Sequence, residues 1–341
     1  FLAALLIVNL AASAQKKFSV YAVGFYNQEN LFDTCHDEGK KDYEYLPNKG
    51  WNGMKYTNKL RNMSKALADM GTDVLPNVGC AFIGLSEVEN HKVLDALVDQ
   101  APLKARNMKY VHIEGPDRRG IDCALLYNPS LFSVKNVKLV PYVQELAKDS
   151  AFFTRGFLTV RGEMAGDDVA VIVCHWPSRF SGPFYRESAA RQVKVIKDSL
   201  LNVNQEMKIF VMGDMNDDPV NKSMHVYLQA KPEISQVGAG DMYNPWYNVL
   251  AKEGKGTLFY SGNWNLFDQI VITPNLLNKD AKKKDYSSLK YWKSHIFRRD
   301  YLIQQEGQYK GAPLRTTAGG RWLNGYSDHL PVVMYLVKEK K

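Results

Sequence analysis

The sequence predicts an α/β fold in which two β-sheets are covered by outer helices. Three observations support this prediction. Strand-like apolar runs outnumber helix-like segments, several helices fall between strands, and no Pro-, Gly- or Ser-rich linker divides the 341 residues. A chain of this length can bury a large core. Because no linker is evident, we predict a single domain over residues 15–341.

Each predicted element has either the apolar spacing of a helix or the short apolar run of a strand. In the first helix, Leu60, Met63 and Leu67 recur three and four residues apart, and Gly71 follows as a stop signal. The predicted helices span residues 57–71, 91–100 and 185–201. The predicted strands span residues 17–28, 80–87, 120–128, 169–176, 207–216, 266–273 and 330–337.

The first residues, FLAALLIVNLAASAQ, are apolar and end in Ala12, Ser13 and Ala14 before Gln15. An apolar stretch followed by small residues is typical of a signal peptide. The alternative, a membrane anchor, is disfavoured because about 14 residues are too few to cross a bilayer. We therefore expect residues 1–14 to be a signal peptide, and the mature protein to be periplasmic, extracellular or bound to the outer cell surface.

The net charge of +8 is concentrated near the C-terminus. Residues 279–322, which we call the basic segment, contain 11 Lys or Arg against 4 Asp or Glu. The same segment carries Tyr286, Tyr291, Trp292, Phe297, Tyr301, Tyr309 and Trp322. Basic residues interleaved with aromatic ones can follow a phosphate backbone and stack on bases. A solvated surface insertion explains the composition equally well.

The four cysteines have no zinc-site spacing. An exported protein can pair its cysteines. However, Cys80, Cys123 and Cys174 lie in or beside strand-like runs, where small buried thiols are common. We expect these cysteines and Cys35 to be free and buried.

Polar residues occur where several predicted strands begin or end. They are Asn27, Glu87, His175, Asp214, Asn216, Asp268, Asp328 and His329. Taken singly, each is explained as a turn, a cap or a satisfied histidine. Taken together, they could converge, because rigid strands aim side chains well. Carboxylates are hard ligands for Mg²⁺ or Mn²⁺, Asn can hold a phosphoryl oxygen without adding charge, and His exchanges protons near neutral pH.

This mixture of residues suits phosphoester hydrolysis. Enzymes lower such barriers by roughly 8–23 kcal/mol, whereas a neutral hydrogen bond contributes only about 1 kcal/mol. A metal ion within a cluster of oriented charges supplies the difference. The chain contains no GxSxG, P-loop or GxGxxG sequence, which disfavours the serine-hydrolase, P-loop nucleotide and dinucleotide classes.

Six segments, in this order, resemble the motifs of the endonuclease/exonuclease/phosphatase superfamily. They are FYNQENLFD, IGLSEVEN, RRGIDCALLY, VCHWPSR, VMGDMNDDP and YSDHLP. That superfamily includes pancreatic-type deoxyribonuclease, abasic-site endonucleases, sphingomyelinases and inositol polyphosphate 5-phosphatases. The resemblance implies a four-layer α-β-β-α sandwich with two mostly antiparallel sheets. It also implies a catalytic divalent metal, Mg²⁺ or Mn²⁺.

The resemblance further implies roles for individual residues. Glu87 would bind the metal with help from Asp328. Asp214 would orient or deprotonate the attacking water. Asn27 would contact the phosphate or support the metal, and Asn216 would position the phosphate.

Two histidines complete the implied site. His329 would contact the phosphate or take part in acid/base chemistry, oriented by Asp268. His175 favours the deoxyribonuclease-like, sphingomyelinase-like and phosphatase branches over the abasic-site branch, and it would protonate the leaving oxygen. The phosphate contacts would come from Arg119, Arg155 and Arg179, although each is also explained as a surface charge. The basic segment would have both ends near this site.

We predict a secreted metal-dependent phosphodiesterase, with a nuclease acting on DNA or RNA favoured because of the basic segment. The alternative is a phosphoesterase for lipid or inositol phosphates, sphingomyelinase-like or phosphatase-like, although no apolar membrane hairpin is evident. A non-catalytic binding protein is disfavoured because no metal-binding or water-activating residue is missing. We expect a monomer without a stable protein partner.

Overall fold

A computed structural model describes residues 17–145, 152–280 and 282–340. These residues form two large sheets with helices on their outer faces, which confirms the predicted α/β sandwich. The predicted signal peptide, residues 1–14, lies outside the described residues. None of the helices in the described part of the chain has both the length and the apolarity needed to cross a membrane.

The described elements follow the predicted order. The helices are α1 (Gly53–Asp69), α2 (His91–Val98), α3 (Ala101–Ala105), α4 (Pro183–Val203) and α5 (Trp246–Ala251). The first strands are β1 (Phe18–Leu31), β2 (Cys80–Val88), β3 (Lys109–His112), β4 (Asp122–Tyr127), β5 (Phe132–Val140), β6 (Phe157–Met164), β7 (Asp167–His175) and β8 (Lys208–Asp214). The later strands are β9 (Ala230–Lys231), β10 (Met242–Tyr243), β11 (Leu258–Tyr260), β12 (Asn263–Asn265), β13 (Asp268–Ile272), β14 (Lys290–Ile296), β15 (Thr317–Ala318), β16 (Arg321–Trp322) and β17 (Val332–Glu339).

Both large sheets are mostly antiparallel, as predicted. The first has six strands in the order β14-β17-β1-β2-β4-β3, and only β1 and β2 run parallel. The second has seven strands in the order β5-β6-β7-β8-β13-β10-β9, with parallel pairs at β7/β8 and β10/β9. The basic segment supplies β14, the edge strand of the first sheet.

Alternating side chains divide the apolar residues among three interior layers. In β1, Phe25 faces the layer between the sheets, where it joins Phe82 and Phe210, whereas Tyr26 faces the helices. Helices α1, α2 and α3 cover the outer face of the first sheet. Helix α4 covers the second sheet through residues such as Val193. The four layers leave the ends of the strands accessible.

The cysteines are all free. Cys80, Cys123 and Cys174 are buried as predicted, in or beside strands. Cys35 is exposed, which corrects the prediction for that residue, because it lies in the loop after β1.

Candidate active site

The predicted polar residues meet at one end of the sandwich. Parallel strands end together, and an antiparallel partner begins where its neighbour ends. Accordingly, Asp214 at the end of β8 pairs in register with His175 at the end of β7 and with Asp268 at the start of β13. In the first sheet, Asn27 pairs with the residue before Glu87. His329 completes the cluster just before β17 begins.

The backbone is strained where the strands reach this cluster. Glu29, Asn30, Glu87 and Asn216 all have positive φ angles, between 45° and 60°. The register of β1 against β2 shifts after Asn27, as at a bulge, which re-aims side chains. A non-glycine residue in this region costs of order 1–3 kcal/mol, and such strain concentrates at functional sites. The strain therefore supports the prediction that these strand ends form a functional site.

The carboxylate of Asp214 lies at the centre of the cluster. Its Oδ2 accepts a hydrogen bond from Asn27 Nδ2 at 3.0 Å, and its Oδ1 accepts one from the Asn216 N–H at 2.9 Å. His175 Nε2 and His329 Nε2 lie 3.7 and 3.8 Å from Oδ2. Burial raises the pKa of Asp214 to about 6, although the nearby His329 cation lowers it. The group is therefore ionised at neutral pH and can accept a proton.

His329 is held as a cation. Its Nδ1 donates to Asp268 Oδ2 at 2.7 Å, so Asp268 orients the ring as expected. Burial alone would lower the pKa of His329, but the charges of Asp268 and then Asp214 outweigh it and hold the pKa well above its usual range. His329 can therefore donate a proton or a charged hydrogen bond to a phosphate at neutral pH.

His175 has the opposite electrostatic setting. Burial, and then the charges of Arg155, Arg119 and His329, hold its pKa well below the usual range. The side chain is therefore neutral near pH 7. The implied role of His175 as the proton donor to the leaving oxygen stays a prediction, and His329 is the histidine of the cluster whose pKa is raised.

The donor set fits a divalent cation. Glu87 Oε2 accepts from the Asn30 N–H at 2.9 Å, and Glu87 Oε1 lies 3.8 Å from His175 Nε2. Asp214, Asp268 and His329 offer ligand atoms within 4.8 Å of one another, the one such group among the described residues. Asp268 Oδ1 is buried and has no hydrogen-bond partner within the described chain. An unsatisfied hard oxygen of this kind suits Mg²⁺ or Mn²⁺.

The structure brings this one set of ligand atoms together, and Glu87 and Asp328 form no such group with a third ligand among the described residues. The Asp268–His329 hydrogen bond already occupies Nδ1, which makes that pair better suited to proton chemistry than to metal binding. Oxygen ligation by Glu87 and Asp328 would match the preference of Mg²⁺ more closely, although Asp328 Oδ2 already accepts a hydrogen bond from Arg315 Nη2 at 3.0 Å. We retain Glu87 and Asp328 as the predicted metal ligands.

The three predicted phosphate-binding arginines differ in how many hydrogen bonds and ion pairs they already make within the protein. Arg179 donates to Asn216 O, Asn265 Oδ1, Asn221 Oδ1 and Asp218 Oδ2, so it fastens loops together. Arg155 is mostly buried, pairs with Asp117 at 3.0 Å and donates to the Trp176 carbonyl at 3.1 Å. That carbonyl also accepts from Asn216 Nδ2 at 2.9 Å.

Arg119 is the best placed of the three to meet a phosphate. It is exposed and donates to the neutral Asn30 Oδ1. Its charge is strong enough at His175 to help depress the pKa of that residue. No ion pair of Arg119 occurs within residues 17–145, 152–280 and 282–340. Of the three predicted phosphate contacts, Arg119 is therefore the one whose charge is least engaged by other residues of the described chain.

Sequence reasoning missed a network behind Asp328. Arg315 donates from Nη2 to Asp328 Oδ2 at 3.0 Å and from Nε to Glu29 Oε1 at 3.2 Å. Burial, and then the charge of Asp328, raise the pKa of Glu29 to about 7. The buried Lys59 donates to Thr316 Oγ1 at 2.6 Å. The sequence offered one signal for this network, which is the position of Lys59 beside the apolar face of α1. A lysine that is buried there needs hydrogen-bond partners.

A cavity of about 1070 Å³ opens beside this network. We call it the aromatic pocket. Its aromatic lining is Tyr45, Trp51, Phe259, Tyr260, Tyr309 and Trp322, its cations are Lys49, Lys55 and Arg315, and its acids are Glu29, Glu44 and Asp328. Burial and the charge of Glu87 raise the pKa of Tyr45, so its hydroxyl lies within electrostatic reach of the predicted metal ligand. Loops supply most of this lining. Because loop residues lack the apolar periodicity of helices and strands, the sequence did not indicate the pocket.

Only one end of the basic segment lies near the site. The expectation that both ends would lie there is therefore wrong for the other end. Its strand β14 runs beside β17, from Lys290 opposite Val337 to Ile296 opposite Val332. Tyr286 accepts a hydrogen bond from the Glu339 N–H, at the far end of β17. The eight residues of β17 span about 25 Å at roughly 3.3 Å per residue. The exposed lysines at 282–284 therefore lie away from the cluster.

Comparisons with known proteins agree with this fold. Residues 22–338 match the model of the Endonuclease/Exonuclease/phosphatase family. A search of curated proteins returned no match. An endonuclease/exonuclease/phosphatase family protein from Bacteroides thetaiotaomicron has a similar structure, with a TM-score of 0.55, 14% identity and coverage of 95% of this chain and 97% of that one.

Two further solved structures share the fold. One is TDP2 from D. rerio complexed with a single strand DNA product, with a TM-score of 0.54, 11% identity and coverage of 93% and 99%. The other is a mannosyl-6-phosphatase from Bacteroides thetaiotaomicron, with a TM-score of 0.54, 14% identity and coverage of 93% and 99%. The family match extends over nearly the whole described chain. The chain therefore belongs to the endonuclease/exonuclease/phosphatase family, whose members are metal-dependent phosphoric ester hydrolases.

Proposed function

We propose that the protein is a secreted, Mg²⁺- or Mn²⁺-dependent phosphodiesterase that cleaves nucleic acid, DNA or RNA. The aromatic pocket carries this proposal. It joins aromatic rings and lysines to the carboxylates of Glu29 and Asp328. Bases stack on aromatic side chains, and lysines attract the phosphates between them. The fold accepts a single strand DNA product in D. rerio TDP2.

The residues of the cluster divide the chemistry among them. A bound divalent cation would stabilise charge on the phosphoryl oxygens, held by Glu87 and Asp328. Asp214, ionised above a pH of about 6, accepts the proton of the attacking water. The His329 cation, fixed by Asp268, faces the phosphate. Arg119 adds a second positive charge.

A second candidate is hydrolysis of a small phosphate ester, such as a sugar, inositol or lipid phosphate. Two observations favour it. The pocket has acidic members in Glu29 and Glu44, which suit sugar hydroxyls better than a polyanion. The exposed lysine run at 282–284 is also remote from the site. A mannosyl-6-phosphatase shows that the fold can support phosphatase activity.

The lysines of the pocket test the choice between these candidates. Replacing Lys49 and Lys55 with Ala should raise KM for single-stranded DNA or RNA. It should also flatten the slope of log KM against log salt by about 1.4, because each lost contact to a single strand removes about 0.7. The measurement is hydrolysis of a labelled oligonucleotide between low and moderate salt.

The double variant K282A/K283A is the matched control, since it removes equal charge far from the site. It should behave as the wild type. Turnover of methyl p-nitrophenyl phosphate should change in neither variant. Equal salt slopes in both double variants and the wild type would contradict the nuclease proposal, and a preference for inositol or sugar phosphates would then support the second candidate.

A further inference from the structure

Asn30 bonds to two residues of opposite charge in the candidate site. Its N–H donates to Glu87 Oε2 at 2.9 Å, and its side-chain Oδ1 accepts from Arg119 Nη2. Glu87 is a predicted metal ligand, and Arg119 is the predicted phosphate contact whose charge is least engaged. Asn30 is itself half-buried and lines the aromatic pocket. The bonds of this one residue therefore join the two charged parts of the site.

Two bulges bring Asn30 and Glu87 together. In β1 the register against β2 shifts between Asn27 and Leu31, and in β2 the register against β4 shifts around Glu87. Both shifts lie at the same level of the sheet, because Leu31 pairs with Val88. A bulged residue leaves the regular ladder of backbone hydrogen bonds. The N–H of Asn30 is turned towards the Glu87 carboxylate as a result.

The residue type at position 30 suits both bonds. The φ angle of Asn30 is 58°, a left-handed conformation that Asn adopts more readily than most other residues. Glycine would accept the same backbone but would offer no side-chain acceptor to Arg119. Aspartate would offer an acceptor but would add a negative charge next to Glu87. Asparagine alone combines this backbone with a neutral side-chain acceptor.

Arg119 and Glu87 act on the same surroundings without pairing with each other. Burial and then the charge of Glu87 raise the pKa of Tyr45, and the charge of Arg119 opposes them. In the part of the chain that the structure describes, the recorded ion pair of Glu87 is with His175 and not with Arg119. A guanidinium and a carboxylate that meet freely form a strong, often bidentate pair. Here the guanidinium is bonded to the Asn30 amide instead.

We propose that Asn30 is a positioning residue that keeps Arg119 and Glu87 apart. An ion pair between them would neutralise both the carboxylate that a cation requires and the guanidinium that a phosphate requires. The Asn30 amide holds the guanidinium away from the carboxylate, so both charges stay available to ligands. This inference rests on the proposed metal-dependent function, and it applies equally to a nucleic acid and to a small phosphate ester.

Asn30→Gly tests the inference, because it removes the amide and keeps the N–H. Glycine adopts the positive φ without strain, so the hydrogen bond to Glu87 is retained. The released Arg119 should turn to Glu87 and compete with a cation. We expect the Kd for Mn²⁺ to rise by about 5- to 10-fold, as for an ion pair at a partly buried carboxylate. Isothermal titration calorimetry of metal-stripped protein with Mn²⁺ alone measures this without substrate.

The double variant N30G/R119A separates the proposed role from simple stiffening of the bulge. With no guanidinium left to pair with Glu87, it should bind Mn²⁺ within about twofold of R119A. If Asn30 only stiffened the bulge, the double variant would bind as weakly as N30G. N107G is the matched control, since Asn107 has a φ of 52° and precedes β3 at the end of the first sheet opposite Glu87. It should match the wild type.

The outcomes distinguish this inference from the function on which it rests. Wild-type Mn²⁺ affinity in N30G, or a double variant as weak as N30G, would overturn the role of Asn30 and leave metal dependence standing. Wild-type Mn²⁺ affinity in E87Q would show that Glu87 is not a ligand. That result would overturn the metal site of the proposed function and this inference with it.

Discussion

Replacing Asp214 with Asn should lower kcat by about 1000-fold and reduce the loss of stability that the wild type shows between pH 5 and 7. The rate falls because the carboxylate is the group placed to accept the water proton, and such general bases contribute roughly 10²- to 10⁴-fold. In the wild type, the rate should also fall as the pH drops below about 6, where Asp214 takes up a proton. Steady-state kinetics between pH 5 and 8 measure both effects.

The effect on the pH dependence of stability follows from the direction of the pKa shift. Burial raises the pKa of Asp214 to about 6, so the folded protein binds this proton more tightly than the unfolded chain does. The contribution of Asp214 to stability is full below its unfolded pKa, and it is lost as the pH rises through the folded pKa. At pH 7 the charge costs of order 2–3 kcal/mol. Asn lacks that charge, but its Nδ2 must face either Asn27 Nδ2 or the Asn216 N–H, which now donate to the carboxylate, and this offsets the gain by about 1–3 kcal/mol.

Asp198→Asn is the control for this prediction. Lys194 and Lys197 hold the pKa of Asp198 below its usual range, against the effect of burial. Its charge therefore stabilises the fold, and removing it should lower stability slightly with no effect on kcat. Urea unfolding of both variants at pH 5 and 7 measures the difference. A D214N protein that keeps more than a tenth of wild-type kcat would show that Asp214 is not the base.

Replacing Glu87 with Gln should remove nearly all activity, about 1000-fold or more, while the fold stays intact. Gln keeps the size of the side chain and can accept the Asn30 hydrogen bond, but it loses the charge that a hard cation requires. The affinity for Mn²⁺ should fall in parallel. Isothermal titration calorimetry of the protein with Mn²⁺ measures that affinity without relying on turnover.

Glu89→Gln is a closely matched control, two residues along the chain. Burial raises the pKa of Glu89 to about 8, so its side chain is already neutral at pH 7. Gln resembles that neutral acid, and its Oε1 can accept from the Asp33 N–H as Glu89 does at 2.7 Å. Metal affinity and kcat should therefore stay near wild type. Equal losses in E87Q and E89Q would point to damaged packing rather than a lost ligand.

The central strands could be predicted because they are buried on both faces. All seven predicted strands and all three predicted helices occur, with ends shifted by at most four residues. Strand β6 was missed because Arg161 and Glu163 interrupt its apolar run, and β14 because it lies at a sheet edge. Edge strands carry polar and charged residues that protect them from pairing with other chains.

The site residues could be located from the sequence, but their electrostatics could not. Glu87 and Asp214 lie at strand ends and Asn27 lies at the register shift of β1, close to the ends that the sequence predicts. The neutral state of His175 depends on burial and on Arg119 and Arg155, which are distant in the chain. The aromatic pocket and the remote position of residues 282–284 likewise depend on how loops and edge strands are placed, for which periodicity carries no information.

The most direct test of the account is a metal-dependent activity screen on one preparation of the full-length protein. Protein stripped with EDTA should be inactive, and Mg²⁺ or Mn²⁺ should restore it. With the metal restored, single-stranded DNA or RNA should be cleaved with a higher kcat/KM than mannose 6-phosphate, inositol phosphates or sphingomyelin. Full activity in the stripped protein would contradict metal dependence, and hydrolysis confined to the small phosphate esters would contradict the nuclease proposal.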